Sequence, residues 1–319
     1  MKEQIKGSLI LLLTATIWGF AFVAQSAGMD YIGGFTFNCI RSIIGGIVLI
    51  PCIFIIKRFR KCDENKNGCE IAVNKTEVNS DGNAVKSEKN MLITGGIACG
   101  VLLCIASNLQ QHALKTAPVG KAGFITALYI VLVPVLGLFL KKKVGLKVAV
   151  GVALAILGLY LLCMKDGFGS VGREDFLLLG CALVFSFHIL TIDYFAPHVD
   201  CVAMSCIQFF VCGILSGIPM VMFEEINPGS ILDAAGPILY AGVLSCGVAY
   251  TLQIVGQKNM NPTVASMILS LESVVSVLAG FLLLKEVLSS RELFGCVLMF
   301  AAIIISQLPD RKKEPGKSF

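Results

Sequence analysis

The chain has 319 residues, of which 56% are hydrophobic and only 15% charged, and its mean hydropathy is +0.82. That balance excludes a soluble globular domain of ordinary composition. The formal net charge of +5 is modest, and the placement of the basic residues along the chain assigns it to membrane orientation rather than to nucleic acid.

Taken in order, apolar stretches long enough to cross ~30 Å of hydrocarbon, about 20 residues each, fall at 7–28, 34–56, 91–113, 118–140, 144–163, 174–195, 201–223, 236–257, 262–284 and 288–308. They predict ten transmembrane helices in an all-α integral membrane protein. The first, KGSLILLLTATIWGFAFVAQSAG, is too long for a signal-peptide core and reads as a retained helix. The 57–90 segment is polar, of mixed charge and without hydrophobic periodicity, which predicts a disordered cytoplasmic loop. Residues 309–319 form a polar tail. Of the 13 cysteines, only Cys62 and Cys69 sit in a polar segment, and no CxxC or Cys/His cluster exists. They read as small packing hydrophobes, so neither a metal nor a cofactor is expected.

Orientation follows from Lys and Arg. With a cytoplasmic N-terminus and ten crossings, nineteen basic residues fall on the inner side. The outer side has five, namely Lys115, Lys165, Arg173, Lys285 and Arg291. The positive-inside rule then places both termini in the cytoplasm and the protein in the cell membrane, with the lipid bilayer and a small solute as its partners. No nucleic-acid partner is expected.

The sequence also matches itself. At an offset of 143, residues 109–144 lie over 252–287, pairing Leu109 with Leu252, Gln110 with Gln253, Lys115 with Lys258, Ala122 with Ala265 and Gly137 with Gly280. The predicted organisation is a first five-helix repeat over 1–163 and a second over 164–308. Because five is odd, the second must enter the membrane upside down. Inverted repeats of this kind, with a site near the midplane between the halves, characterise secondary transporters.

The opening TATIWGFAFVAQSAGMDYIGGFTFNCIRSIIGG, the fourth-helix run AGFITALYIVLVPVLGLFL and the segment LSLESVVSVLAGFLLLKEVLSSRELFGCVLM resemble the EamA-type members of the drug/metabolite transporter superfamily. The likeness spans nearly the whole chain except 57–90 and the tail. It implies a helix bundle around a central cavity, and export or exchange of amino acids, other metabolites or drugs across a bacterial inner membrane. The LLLKE run ending at Glu286 matches the acidic end of the ninth helix in that pattern, whereas its first-half counterpart is Lys143.

Polar groups deep in hydrocarbon need partners or a water-lined cavity, so each is a site candidate. Glu272 lies ten residues past Pro262, roughly 15 Å into the membrane. A central charge costs about 2.5–3.5 kcal/mol on insertion scales, so the carboxyl is expected to face the cavity, where it could exchange a proton or hold a cationic amine. The alternative is a neutral carboxyl that locks two helices together. Its equivalent at the repeat offset is Tyr129, which predicts a carboxyl and a phenol at matching depths about a pseudo-two-fold axis. Arg41, in the outer third with Asn38 nearly one turn earlier, could clamp a substrate carboxylate, but bracing of the bundle or snorkelling to the interface is the favoured reading. His188 is read first as hydrogen-bonded packing.

Three helical faces complete the candidate set. Trp18, Phe22 and Gln25 share one face of the first helix. Asn108, Gln111 or His112, and Lys115 share a face of the third, and Tyr250, Gln253 and Gln257 one of the eighth. Gln110 and Gln253 are repeat-equivalent. Amides and aromatics on a cavity wall suit a polar or zwitterionic solute with an apolar part; the same amides could equally knit helices together.

The leading expectation is a secondary active transporter, an exporter of amino-acid-like or drug-like metabolites working by alternating access, with Glu272 as the candidate proton carrier. The alternatives are a non-transporting membrane sensor or structural protein and, within transport, an obligate metabolite antiporter. Phosphorylated cargo would need several deep basic residues, and Arg41 is the one convincing example, which disfavours anionic solutes. HExxH, GxSxG and P-loop motifs are missing from the sequence, so an enzyme is not expected.

Overall fold

A computed structural model describes residues 2–67, 81–117, 119–140, 145–163, 172–258, 260–284 and 289–307. Every regular element among them is helical. In chain order these are α1 (Lys2–Gly28), α2 (Gly34–Asn67), α3 (Asp81–Leu114), α4 (Val119–Ala127), α5 (Tyr129–Phe139), α6 (Leu146–Cys163), α7 (Arg173–Phe195), a 3-10 turn (Ala196–His198) and α8 (Cys201–Phe223). There follow α9 (Pro228–Asp233), α10 (Ala235–Leu239), a π-helical segment (Tyr240–Tyr250), α11 (Thr251–Gln257), α12 (Pro262–Leu269), α13 (Glu272–Leu284) and α14 (Ser290–Gln307).

Eight helical runs are long and apolar enough to cross a membrane: Gln4–Gly28, Gly34–Ile55, Glu88–Leu114, Ala122–Phe139, Arg173–His198, Cys201–Phe223, Ala235–Gln257 and Pro262–Ala279. Two shorter apolar runs, Leu146–Gly158 and Leu293–Ile305, coincide with the fifth and tenth stretches predicted from sequence. The outward faces carry large apolar side chains such as Leu9, Phe54, Leu138, Phe176, Ile214 and Phe300, as a lipid-facing surface requires.

The polar 57–90 segment is not a loop throughout. α2 continues to Asn67 and α3 starts at Asp81, so both membrane helices extend into it. Lys, Arg and Glu are good helix formers, and adding residues to an existing helix avoids the cost of nucleation. Residues 68–80, the tail 309–319, Lys143 and Glu286 lie outside the described residues.

Four of the predicted helices differ internally from a plain rod. The fourth is interrupted at Leu128 and the ninth at Ser270–Leu271. Three-residue backbone bonds mark both breaks: Leu128 N–H to Ile125 O (3.2 Å) and Leu271 N–H to Ile268 O (3.1 Å). In the ninth helix, the Ser266 and Ser270 hydroxyls donate to Thr263 O and Met267 O at 2.8 and 2.7 Å. Such back-bonding competes with the regular ladder and bends helices. The eighth begins as short α turns and passes through the π segment, and the second carries Pro51 within it.

The packing has a regular exchange. α1 packs on the π segment, α11, α12 and α13; α7 packs on α3, α4 and α5. α2 lies along α8, and α6 along α14. Where helices must approach most closely the chain places glycine. A Cβ at Gly19 of α1 would stand 2.4 Å from Val275 Cβ and 2.9 Å from Glu272 O, and one at Gly45 of α2 would stand 2.5 Å from Cys246 Cβ. These contacts draw α1 onto the start of α13 and α2 onto the π segment, around the centre of the bundle.

Candidate functional site: a central cavity

A narrow cavity with a free volume of about 30 Å³ lies at that centre. Its wall includes Trp18, Phe22, Gln25, Arg41, Gln110, Tyr129, Tyr250, Gln253 and Glu272 among the positions expected from sequence, joined by Thr126, Phe185, Ile189, Ser245 and Leu269.

Glu272 and Tyr129 are the first residues after the two helix breaks. The Tyr129 hydroxyl donates to Glu272 Oε1 at 2.9 Å, across a sequence separation of 143. Both side chains are buried and both line the cavity. The repeat offset thus brings a phenol and a carboxyl together. Gly19 is what allows α13 to stand close enough to α1 for this, since its missing Cβ leaves room for the Glu272 backbone.

Around this pair the wall is aromatic and amide-rich. Trp18 and Tyr250 have ring centroids 4.5 Å apart, and Phe209 packs behind Tyr250 at 5.5 Å. Gln110 Nε2 donates to Thr126 Oγ1 at 3.3 Å, tying α3 to α4 one turn before Tyr129. Several buried polar atoms have no hydrogen-bond partner: Trp18 Nε1, Gln25 Oε1, Arg41 Nε and Gln253 Oε1. Such atoms carry a desolvation cost of about 1–3 kcal/mol each; these four belong to the cavity wall, and Gln111 Oε1, His188 Nδ1 and both Gln257 amide atoms are in the same state away from it.

Arg41 differs from the expectation of snorkelling. It is 3% exposed, faces the cavity and holds its guanidinium over the Phe37 ring at 5.6 Å. Counting residues along one helix gave its depth but could not give the inward rotation, which the close α2 approach at Gly45 and Gly242 imposes.

Four candidates are absent from the wall and hold helices together instead. Asn38 Nδ2 donates to Asn108 Oδ1 at 2.9 Å, and Asn108 Nδ2 donates to Ser216 Oγ at 2.9 Å, which joins α2, α3 and α8. Gln111 Nε2 donates to Gln25 O at 3.2 Å. His188 Nε2 meets Gln208 Oε1 at 3.2 Å, with its ring at the edge of Tyr250. Ser245 is on the wall without having been expected. In i→i+5 geometry residues five apart come nearly into line, so Ser245 and Tyr250 share a side that α-helical spacing would separate.

At the end of the bundle where α1 joins α2, Glu224 at the end of α8 accepts from Phe35 N–H (2.9 Å), Thr36 N–H (2.7 Å) and Thr36 Oγ1–H (2.7 Å). A carboxylate on the exposed amides of a helix N-terminus is a favourable placement. It fastens α8 of the second half to α2 of the first.

The comparisons with known proteins agree with this architecture. The chain matches the EamA-like transporter family twice, over residues 5–164 and 172–308. It is 30% identical over 311 residues to an uncharacterized transporter of Archaeoglobus fulgidus, covering 96% of this chain and 87% of that one. It is 20% identical over 312 residues to the uncharacterized transporter YoaV of Bacillus subtilis, with 95% and 97% coverage. A 98-residue stretch is 34% identical to protein PecM of Dickeya dadantii, 33% of that protein's length. A solved crystal structure superposes with a TM-score of 0.70 over 95% of this chain and 96% of its own, at 17% identity, a likeness of fold. Two family matches that together span both halves, with a 30% identical relative along nearly the full length, show that this multi-pass membrane protein belongs to the EamA-like transporter family.

Proposed function

We propose that the protein is a secondary active transporter that exports small organic metabolites, amino-acid-like or drug-like, across the cytoplasmic membrane by alternating access, with Glu272 carrying the coupling proton. The observation that carries this reading is the hydrogen bond between Tyr129 and Glu272 on the wall of the central cavity. A titratable carboxyl in a low-dielectric cavity, held by a donor from the other half, can change protonation as the halves move.

In this reading ten helices cross the membrane, residues 1–163 and 164–308 are five-helix repeats of opposite orientation, and both termini are cytoplasmic. The exchange in packing supports it: the first helix of each half contacts the third and fourth of the other or their equivalents. The full α6 and α14, 18 residues each, reach about 27 Å, close to the hydrocarbon thickness.

The test is solute flux in vesicles bearing the purified protein with an imposed pH gradient. Flux that follows the gradient in the wild type and ignores it in Glu272→Gln supports the reading. Gradient-independent flux with unchanged Glu272→Gln activity removes the proton role, and flux that requires solute on the opposite side identifies an obligate antiporter.

A further inference from the structure

Resting on the transporter reading, the structure assigns to the cavity a solute that carries a single carboxylate, which we infer is held by Arg41 with the apolar body of the solute against Trp18 and Tyr250.

The argument starts from an unbalanced charge. Arginine keeps its proton at any physiological pH, so a permanent positive charge stands at 3% exposure inside the helix bundle. Its Nε has no hydrogen-bond partner, and no acidic side chain pairs with it among the described residues. The Phe37 ring lies 5.6 Å from its Cζ, a π face that supplies no formal counter-charge. A buried charge without a counter-charge is strongly unfavourable, and Arg41 lies on the cavity wall. A solute anion supplies the missing partner, and the planar guanidinium fork matches the two oxygens of a carboxylate.

Glu272 does not fill that role. It is bonded to Tyr129, and no ion pair joins it to Arg41 among the described residues. Trp18 Nε1 and Gln253 Oε1 add an unpartnered donor and acceptor, and the Trp18–Tyr250 pair at 4.5 Å offers an aromatic flank. A phosphate monoester, with about −1.5 to −2 charges at neutral pH, calls for a second cation. Arg41 is the only basic residue on the described wall. One carboxylate is the anion that one guanidinium balances, so the sequence-based case against anionic cargo holds for phosphates and not for a monocarboxylate.

The chain has one tryptophan, Trp18 on the cavity wall, so its fluorescence reads binding directly. Purified full-length protein in detergent is titrated with hexanoate, cyclohexanecarboxylate and 3-phenylpropionate, with the amide of each, and with 2-phenylethylammonium. The expected result is a saturable change with at least one carboxylate, at least tenfold weaker with its amide, and weakened at least tenfold in Arg41→Gln with partial recovery in Arg41→Lys. Equal response to acid and amide, preference for the ammonium, no response to any carboxylate, or an undiminished response in Arg41→Gln overturns the inference. If Arg41→Gln does not fold, the acid-to-amide ratio in the wild type decides alone. Carboxylate binding without flux in vesicles would refute transport and leave the Arg41 site standing; flux of neutral or cationic solutes with carboxylates excluded would do the reverse.

Discussion

Tyr129 and Glu272 sit 143 residues apart, each immediately after a break in its helix, and the phenol donates to the carboxyl at 2.9 Å. The two partners have different replaceable parts. In Tyr129→Phe the carboxyl loses its donor inside the membrane, at a cost of about 1–3 kcal/mol. In Glu272→Gln an amide oxygen still accepts from the phenol. Thermal unfolding in detergent should therefore drop for Tyr129→Phe and stay near wild type for Glu272→Gln, while the response of flux to a pH gradient is lost in Glu272→Gln. A stable Tyr129→Phe with an unstable Glu272→Gln contradicts this.

Gly19→Ala tests the contact that positions Glu272. The added methyl would lie 2.4 Å from Val275 Cβ and 2.9 Å from Glu272 O, so α1 and α13 must separate. Overpacking of this kind costs about 1–3 kcal/mol. Gly236→Ala, whose Cβ would meet nothing within 4 Å, serves as the control. Size-exclusion profiles and unfolding temperatures should separate the two variants clearly.

Glu224 accepts three hydrogen bonds at the start of α2. Its removal as Glu224→Ala should cost about 0.5–2 kcal/mol, the range for a lost helix cap. Glu224→Gln keeps an acceptor and should cost less. The order wild type, Gln, Ala in unfolding temperature is the expected readout.

Asn108 and Gln253 separate bracing from lining. Asn108→Ala strips partners from Asn38 and Ser216 and should destabilise the bundle by about 1–3 kcal/mol without altering relative rates among transported solutes. Gln253→Ala removes a wall side chain whose carbonyl has no partner. It should leave stability nearly unchanged and shift apparent solute affinity at least severalfold. Unfolding curves beside competition flux assays distinguish the two.

Eight of the spans and the pairing of Tyr129 with Glu272 were legible because they rest on hydropathy and on a single offset, both readable from the string. The helix breaks were not, since neither Leu128 nor Leu271 is a glycine or proline; hydroxyls of Ser266 and Ser270 bonding back to the chain bend the ninth helix. The inward face of Arg41 was hidden because depth follows from counting, whereas rotation is set by the glycine contacts of α2 with its neighbours. Ser245 was missed because a π turn changes which residues line up, and YAGVLSCGVAY has no feature that announces one. The polar amides Asn38 and Asn108 illustrate the opposite ambiguity: their chemistry suits a solute or a neighbour equally, and only the packing of α2, α3 and α8 selects the neighbour.

The π segment differs from α3, its partner in the predicted repeat, which runs as one α-helix from Asp81 to Leu114. An i→i+5 turn stores one residue more than an i→i+4 turn, so Tyr240–Tyr250 holds slack that α3 lacks. Passing that surplus residue along by one place turns the following stretch Thr251–Gln257 by about 100° without melting any helix. Such a shift would carry Gln253 off the wall as if on a ratchet tooth, a movement for which α3, α-helical throughout, holds no surplus residue.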